Sequence, residues 1–153
     1  MRRPTSADLG KIPVFGGLPE DALNAFAERA ELHEVASGTT VFMENEAARS
    51  LYVLESGALD VVKVAGAGEI VLSKIRPGEC FGEMSFIDMQ PRSATVRATQ
   101  LSCVWQWPYQ QLHERYCKDS KCYTLLIMNM ARELSRRLRR TDDLLARERA
   151  QRT

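Results

Sequence analysis

The sequence predicts a mainly β domain with flanking helices, and three observations carry this prediction. Between about residue 32 and residue 108, short strand-like runs alternate with turn residues such as Gly38, Gly57 and Gly78. The segments before and after this region show helical spacing instead. The chain has 153 residues, of which 44% are hydrophobic and 27% charged, so it can bury one sizeable core. Many short strands at this spacing are typical of a sandwich, a jelly roll or a barrel.

The chain is expected to have three parts. Residues 1–31 form an N-terminal helical segment, in which Leu23, Phe26 and Ala30 recur at helical spacing. Residues 32–108 form the β-rich part, and residues 109–153 form C-terminal helices that are polar and basic outside. The strand-like runs are 39–42, 50–54, 58–64, 70–72, 93–98 and 102–107.

Charge is distributed unevenly along the chain. Residues 132–152 hold eight arginines against four acids, whereas residues 1–131 hold 13 basic against 16 acidic residues. The net charge of +1 therefore names no partner, although the last helix is basic. No apolar run approaches 18 residues, and the first residues lack the apolar core of a signal peptide. We expect a cytoplasmic protein without a membrane span, in which Cys80, Cys103, Cys117 and Cys122 are reduced thiols.

One segment, residues 81–96, concentrates the groups that hold a ribose and a cyclic phosphate. A phosphodiester anion is bound well by backbone N–H groups at a helix start, by close approach through a glycine and by one arginine. Gly82 opens a short helical segment, Glu83 offers a carboxylate to a ribose hydroxyl, and Arg92 follows nine positions later. Taken singly, Gly82 reads more often as a turn glycine and Glu83 as a solvated acid. Their joint spacing favours a binding site.

This segment resembles the phosphate-binding cassette of the cyclic-nucleotide-binding domain family. Further resemblance lies in residues 13–18, 51–57 and 77–83, and it covers the chain from about residue 12 to the last helix. The resemblance implies an eight-stranded β-roll of jelly-roll type with flanking helices and a long C-terminal helix. It also implies a non-enzymatic cyclic-nucleotide receptor that signals ligand occupancy through its helices.

The resemblance also assigns roles to particular residues. Glu83 is expected to accept from the ribose 2′-hydroxyl, and Arg92 to pair with an exocyclic phosphate oxygen. We also expect Arg92 to be the only full positive charge of the roll that faces the ligand. The other expected ligand-binding residues of the roll are the cassette residues Phe81, Gly82, Met84, Ser85, Ser93 and Ala94, and the pocket walls Val61 and Leu72.

The last helix carries a seam that predicts pairing with another helix, and its residues are Ile127, Ala131, Leu134, Leu138, Thr141 and Leu145. A helix docked on its own domain is the alternative. The seam resembles the dimer helix of bacterial catabolite activator proteins, which implies a homodimer, with Arg137 and Leu138 near the ligand and Thr141 on the adenine amino group. Asp142 departs from that pattern, because those activators usually carry a second small hydroxyl residue there. Cyclic AMP is the expected ligand, and cyclic GMP is less favoured.

The residues also bear on other functions. A helix-turn-helix does not fit after the seam, so specific DNA binding is not expected and the effector is expected to be a protein. The alternatives are the ligand-binding fragment of a catabolite-activator-like transcription factor, a ligand-free interaction module, or a haem or iron–sulfur sensor on the same roll. A cupin-type metalloenzyme needs a His-x-His pair, whereas His33 and His113 stand alone and Cys117/Cys122 lack supporting ligands. We therefore expect no metal, no other cofactor and no catalytic residue.

Overall fold

Eight strands form two four-stranded antiparallel sheets in the middle of the chain. The computed structural model describes the backbone of all 153 residues and the side chains of residues 1–114 and 118–153. The sheets have the strand orders β1-β8-β3-β6 and β2-β7-β4-β5, which confirms the predicted eight-stranded roll. The strands are β1 Glu31–Val35, β2 Thr40–Phe42, β3 Ser50–Ser56, β4 Leu59–Ala65, β5 Gly68–Ile75, β6 Cys80–Phe81, β7 Thr95–Ala98 and β8 Ser102–Pro108.

Helices precede, interrupt and follow the roll. They are α1 Ser6–Gly10, a 3₁₀ turn Pro13–Phe15, α2 Glu20–Arg29, α3 Glu83–Asp88, α4 Tyr109–Lys118 and α5 Ser120–Gln151. Helix α1 starts with a capping box between Thr5 and Asp8. Helix α5 starts after Asp119, whose carboxylate accepts from the Cys122 N–H at 3.1 Å. With 32 residues, α5 is about 48 Å long.

Two apolar clusters hold the molecule together, and strand β3 contributes to both. Its residues Leu51 and Val53 pack in a cluster with the helices, whereas Leu54 packs between the two sheets, because successive side chains of a strand point to opposite faces. In the helical cluster, Phe15 lies 5.3 Å from the ring of Trp107, measured between centroids. Phe81, at the start of the cassette, belongs to the cluster between the two sheets, which we call the inner cluster. Phe86 belongs to the helical cluster, so the cassette lies next to both.

Helix α5 divides into a docked half and a projecting half. In the docked half, Leu126 and Met130 are buried, and the Asn129 Nδ2 donates to the carbonyl oxygens of Val14 at 3.1 Å and Gly16 at 2.9 Å. From Leu138 to the end of the helix every residue is exposed. The docked face is therefore carried by Leu126, Asn129 and Met130 and not by the predicted seam. Within that seam, Ile127 and Leu134 are half-buried, and the other members are exposed, namely Ala131, Leu138, Thr141 and Leu145. No helix among the described residues is both long enough and apolar enough to span a membrane.

Three elements differ from the sequence-based expectation. Strand β1 was not among the predicted runs, because only Val35 of its five residues is buried and the others show no apolar alternation. Strand β6 has only two residues, too few for a periodic signal. Strand β7 begins at Thr95 rather than at Ser93, since Ser93 and Ala94 form a bend before the strand. Cys80 and Cys103 are free thiols, and the expectation for Cys117 lies outside the described side chains.

Candidate functional site

The cassette is shaped by a glycine that no other residue can replace without strain. Gly82 precedes α3 with φ of 83°, in the left-handed region. A Cβ atom at this position would lie 2.8 Å from Arg92 Nη1 and 3.1 Å from the carbonyl oxygen of Ser50. Gly82 thus lets the start of α3 approach both the arginine of the cassette and the first residue of β3.

Arg92 is almost fully buried and is held in one orientation. Its Nη2 donates to the carbonyl oxygen of Ser50 at 2.7 Å, and its Nη1 donates to the carbonyl oxygen of Gly82 at 2.9 Å. Nη1 also donates to the hydroxyl of Tyr109 at 3.1 Å, and the guanidinium carbon lies 4.0 Å from the centroid of the Phe42 ring. These contacts fix a full positive charge directly beneath the helix start.

Tyr109 completes the support of the cassette from α4. Its hydroxyl accepts from Arg92 and donates to the carbonyl oxygen of Gly82. Burial raises the pKa of Tyr109 to about 12, although the neighbouring guanidinium opposes this rise. The phenol is therefore a neutral donor at physiological pH, and it bridges the Arg92 guanidinium and the Gly82 carbonyl oxygen.

Glu83 links the cassette to α5. The carboxylate is 2% exposed and its Oε1 accepts from Nη1 of Arg137, while Nη2 of Arg137 donates to the carbonyl oxygen of Cys80. Burial raises the pKa of Glu83, and the positive charge of Arg137 offsets only part of that rise. A carboxylate has further lone pairs, so Glu83 can accept from a second donor in addition to Arg137.

The outer edge of the cassette faces solvent. Met84 is 45% exposed, and the hydroxyl of Ser93 donates to its sulfur at 3.8 Å. Ser85 and Ala94 lie just below and are buried. The Lys63 ammonium donates to the carbonyl oxygen of Ser93 at 2.7 Å. Met84 at the start of α3 and Ser93 in the bend before β7 thus both contribute to this edge, and Lys63 brings a positive charge to it.

The remaining residues predicted for the site lie in different surroundings. Phe81 is buried and stacks on Tyr52 with 5.2 Å between ring centroids. Val61 packs against the inner cluster on the same strand as Lys63. Leu72 lies at a bulge of β5 and is 55% exposed. Leu138 and Thr141 are also exposed, and the Thr141 hydroxyl donates to the carbonyl oxygen of Arg137 at 3.0 Å. The structure therefore brings together the cassette, Val61 and Arg137, and leaves the other three on the surface.

The expectation that Arg92 is the only full positive charge of the roll facing the ligand stays a prediction, and two further cations lie beside the cassette. Arg137 contacts the carboxylate of Glu83, and Lys63 contacts the carbonyl oxygen of Ser93. Sequence reasoning missed Lys63, although its place two residues after Val61 puts it on the same face of β4. It also missed Tyr109, for which neither spacing nor composition gave a signal.

The roll and its cassette match a known protein family. The cyclic nucleotide-binding domain family matches residues 32–118, which is more than half of the chain. This chain belongs to the cyclic-nucleotide-binding domain family, whose members are regulatory rather than catalytic domains.

Particular relatives include regulators of two kinds. The chain is 36% identical to a cAMP-dependent protein kinase regulatory subunit of Blastocladiella emersonii over 69% of its own length and 26% of the relative. It is 31% identical to the cyclic AMP receptor protein of Thermus thermophilus over 90% of its own length and 64% of the relative. The structure of the Thermus thermophilus catabolite activator protein matches with a TM-score of 0.74 and 28% identity, over 88% of this chain and 63% of that chain. The chain thus spans less than two thirds of these relatives.

Proposed function

We propose that this chain is a non-enzymatic, cytoplasmic receptor for 3′,5′-cyclic AMP that reports ligand occupancy to a protein partner through α5. The observation that carries this proposal is the contact of Arg137 on α5 with Glu83 of the cassette. A residue expected to bind the ribose is thereby bonded directly to the helix that projects from the domain. The cyclic AMP named in several relatives supports the choice of ligand.

The ribose and Arg137 would both donate to the carboxylate of Glu83, and this shared acceptor couples the ligand to α5. A ribose 2′-hydroxyl that donates to this buried carboxylate changes the hydrogen bonds available to Arg137. A phosphate bound at the start of α3 adds negative charge beside the same arginine. Both effects change the free energy of one placement of α5 on the domain relative to other placements. A ligand that makes different contacts in each placement shifts their populations.

Thr141 extends the ligand-facing side of α5 beyond Arg137. The two residues are four positions apart and lie on one face of the helix, with about 5–6 Å between their Cβ atoms. The hydroxyl of Thr141 already donates to the Arg137 carbonyl oxygen, which leaves its oxygen lone pairs as acceptors. Adenine presents an amino donor, whereas guanine presents a carbonyl acceptor at the corresponding ring position. We propose that Thr141 accepts from the adenine amino group and that Leu138 packs beside the base.

The substitution Thr141→Val tests this reading of the base. It keeps the shape of the side chain and removes the acceptor, so cyclic AMP should bind about two- to tenfold more weakly, which corresponds to about 0.5–1.5 kcal/mol. Cyclic GMP affinity and thermal stability should hold. Titration of the wild type and the variant with both nucleotides measures the effect. Unchanged cyclic AMP affinity would mean that α5 does not read the base and that Thr141 is satisfied by its own helix alone.

The partner of the signal is proposed on the exposed half of α5. Leu138 and Leu145 are 61% and 45% exposed on the predicted seam, which supports a homodimer through this half of the helix.

A second candidate function, the ligand-binding part of a larger transcription regulator, is favoured by one observation. The chain matches the Thermus thermophilus receptor over 90% of its own length but only 64% of that receptor. In that case α5 would pass the same signal to a covalently attached domain.

A further inference from the structure

We propose that Lys63 is a second ligand-binding cation of this site, which pairs with the outward oxygen of the bound phosphodiester. This inference rests on the proposed function, because it assigns a residue to the same nucleotide site. Three observations carry it: the register of β4 against β7, the contacts of the ammonium group, and the burial of Arg92.

The register of β4 with β7 places Lys63 beside Ser93 and Ala94 of the cassette. Val61 pairs with Val96 and Val62 pairs with Thr95, so the next position of this antiparallel ladder sets Lys63 opposite Ala94. The irregularity in the neighbouring pair β4–β5 adds the extra residue to β5, and the alternation of β4 is kept. Because Val61 packs toward the inner cluster, Lys63 lies on the same, inward face.

The contacts of the ammonium show that it reaches the phosphate-binding groups. Lys63 Nζ donates to the carbonyl oxygen of Ser93 at 2.7 Å, and that oxygen belongs to the same peptide unit as the N–H of Ala94. Standard peptide geometry then puts Nζ within about 5 Å of the Ala94 nitrogen. The ammonium also lies 3.3 Å from Oε1 of Glu44, and the Lys63 side chain is 46% exposed. A flexible, partly exposed ammonium can turn from these oxygens to an incoming anion.

Arg92 alone does not account for the charge at the outer edge. The residue is 4% exposed, and its Nη1 and Nη2 donate to the carbonyl oxygens of Ser50 and Gly82 and to the Tyr109 hydroxyl. A cyclic phosphodiester has two exocyclic oxygens. With one of them paired to Arg92, the other is expected toward solvent, on the side where Lys63 contacts Ser93. Lys63 therefore provides the charge for this oxygen, and Glu44 holds the ammonium in place before it pairs with the phosphate.

Matched variants test the role of Lys63. Lys63→Met keeps the aliphatic stem and removes the charge, so cyclic AMP should bind about five- to tenfold more weakly, while Lys63→Arg should stay within about twofold of the wild type. Glu44→Gln should bind more tightly, by about two- to threefold, because the competing carboxylate charge is lost. Lys74→Met is the control, since it removes an equal charge from β5, where Lys74 faces Asp60.

Calorimetric titration with cyclic AMP, together with thermal unfolding of each variant, separates the outcomes. Weaker binding by Lys63→Met at unchanged melting temperature, with the opposite sign for Glu44→Gln, is the expected result. Equal affinity of the wild type and Lys63→Met overturns the assignment of Lys63 and leaves the proposed function intact. Weaker binding by both Lys63→Met and Glu44→Gln with lowered melting temperatures also overturns it, since a structural clamp behaves in that way. Absence of cyclic-nucleotide binding by the wild type overturns the proposed function itself.

Discussion

Arg92→Leu should weaken cyclic AMP binding by at least about thirtyfold, because a buried phosphate would lose its closest full positive charge. The same substitution should lower the free energy of unfolding by about 1–3 kcal/mol, since the buried carbonyl oxygen of Ser50 would lose its donor and that of Gly82 would keep only the Tyr109 hydroxyl. Titration calorimetry gives the first quantity and urea unfolding the second. The two effects share one cause, which is that Arg92 supports the cassette and charges it at once.

Two further variants separate binding from folding at this position. Arg92→Lys keeps the charge but cannot reproduce the forked bonds to Ser50 and Gly82, so it should remain folded and bind with intermediate affinity. Arg97→Leu removes an equal charge from β7, where Arg97 pairs with Glu69 at 2.8 Å on the surface, and should bind normally. Wild-type affinity in a folded Arg92→Leu protein would show that the phosphate does not bind in this cassette.

The second large effect concerns the sugar: 2′-deoxy cyclic AMP should bind more than about tenfold more weakly than cyclic AMP. Glu83 is buried beneath the expected ribose position, and a hydrogen bond to its charged carboxylate is worth about 1.5–3 kcal/mol. The comparison changes the ligand rather than the protein, so the fold is the same in both titrations. Competition against a fluorescent cyclic nucleotide measures both affinities on one scale.

Glu83→Gln provides the control for this prediction. An uncharged amide weakens the hydrogen bond to the 2′-hydroxyl, so the difference between the two nucleotides should shrink to about threefold or less. Equal binding of cyclic AMP and 2′-deoxy cyclic AMP by the wild type would remove Glu83 from the ligand site. Its contact with Arg137 would then be a link between the cassette and α5 only.

The local part of this site could be predicted from the sequence because its chemistry is local. Gly82, Glu83 and Arg92 lie within eleven consecutive positions, and the positive φ, the buried carboxylate and the buried guanidinium all occur at the predicted residues. The fold class was predictable for a similar reason, since strands such as β3 and β8 combine apolar residues with turn residues at their ends.

Partners from distant parts of the chain were harder to predict. Arg137 was expected near the ligand through the family resemblance, but its contact with Glu83, 54 positions away, was not. Lys63 reaches Ser93 across 30 positions and was not predicted at all. Tyr109 meets Arg92 only because α4 begins where β8 ends, next to the cassette. The exposed position of Leu72 depends on a bulge in β5, for which the run Ile70-Val71-Leu72 gives no signal.

Calorimetric titration of the purified protein with cyclic AMP, cyclic GMP and linear 5′-AMP in parallel tests the central claim most directly. The account predicts one cyclic AMP per chain, weaker binding of cyclic GMP, and much weaker binding of 5′-AMP, whose phosphate does not present the cyclic diester to the cassette. It also predicts that cyclic AMP is recovered unchanged after the titration, since the domain binds without turnover. Absence of binding heat with both cyclic nucleotides, at protein concentrations that would detect a dissociation constant of about 100 μM, would contradict the account.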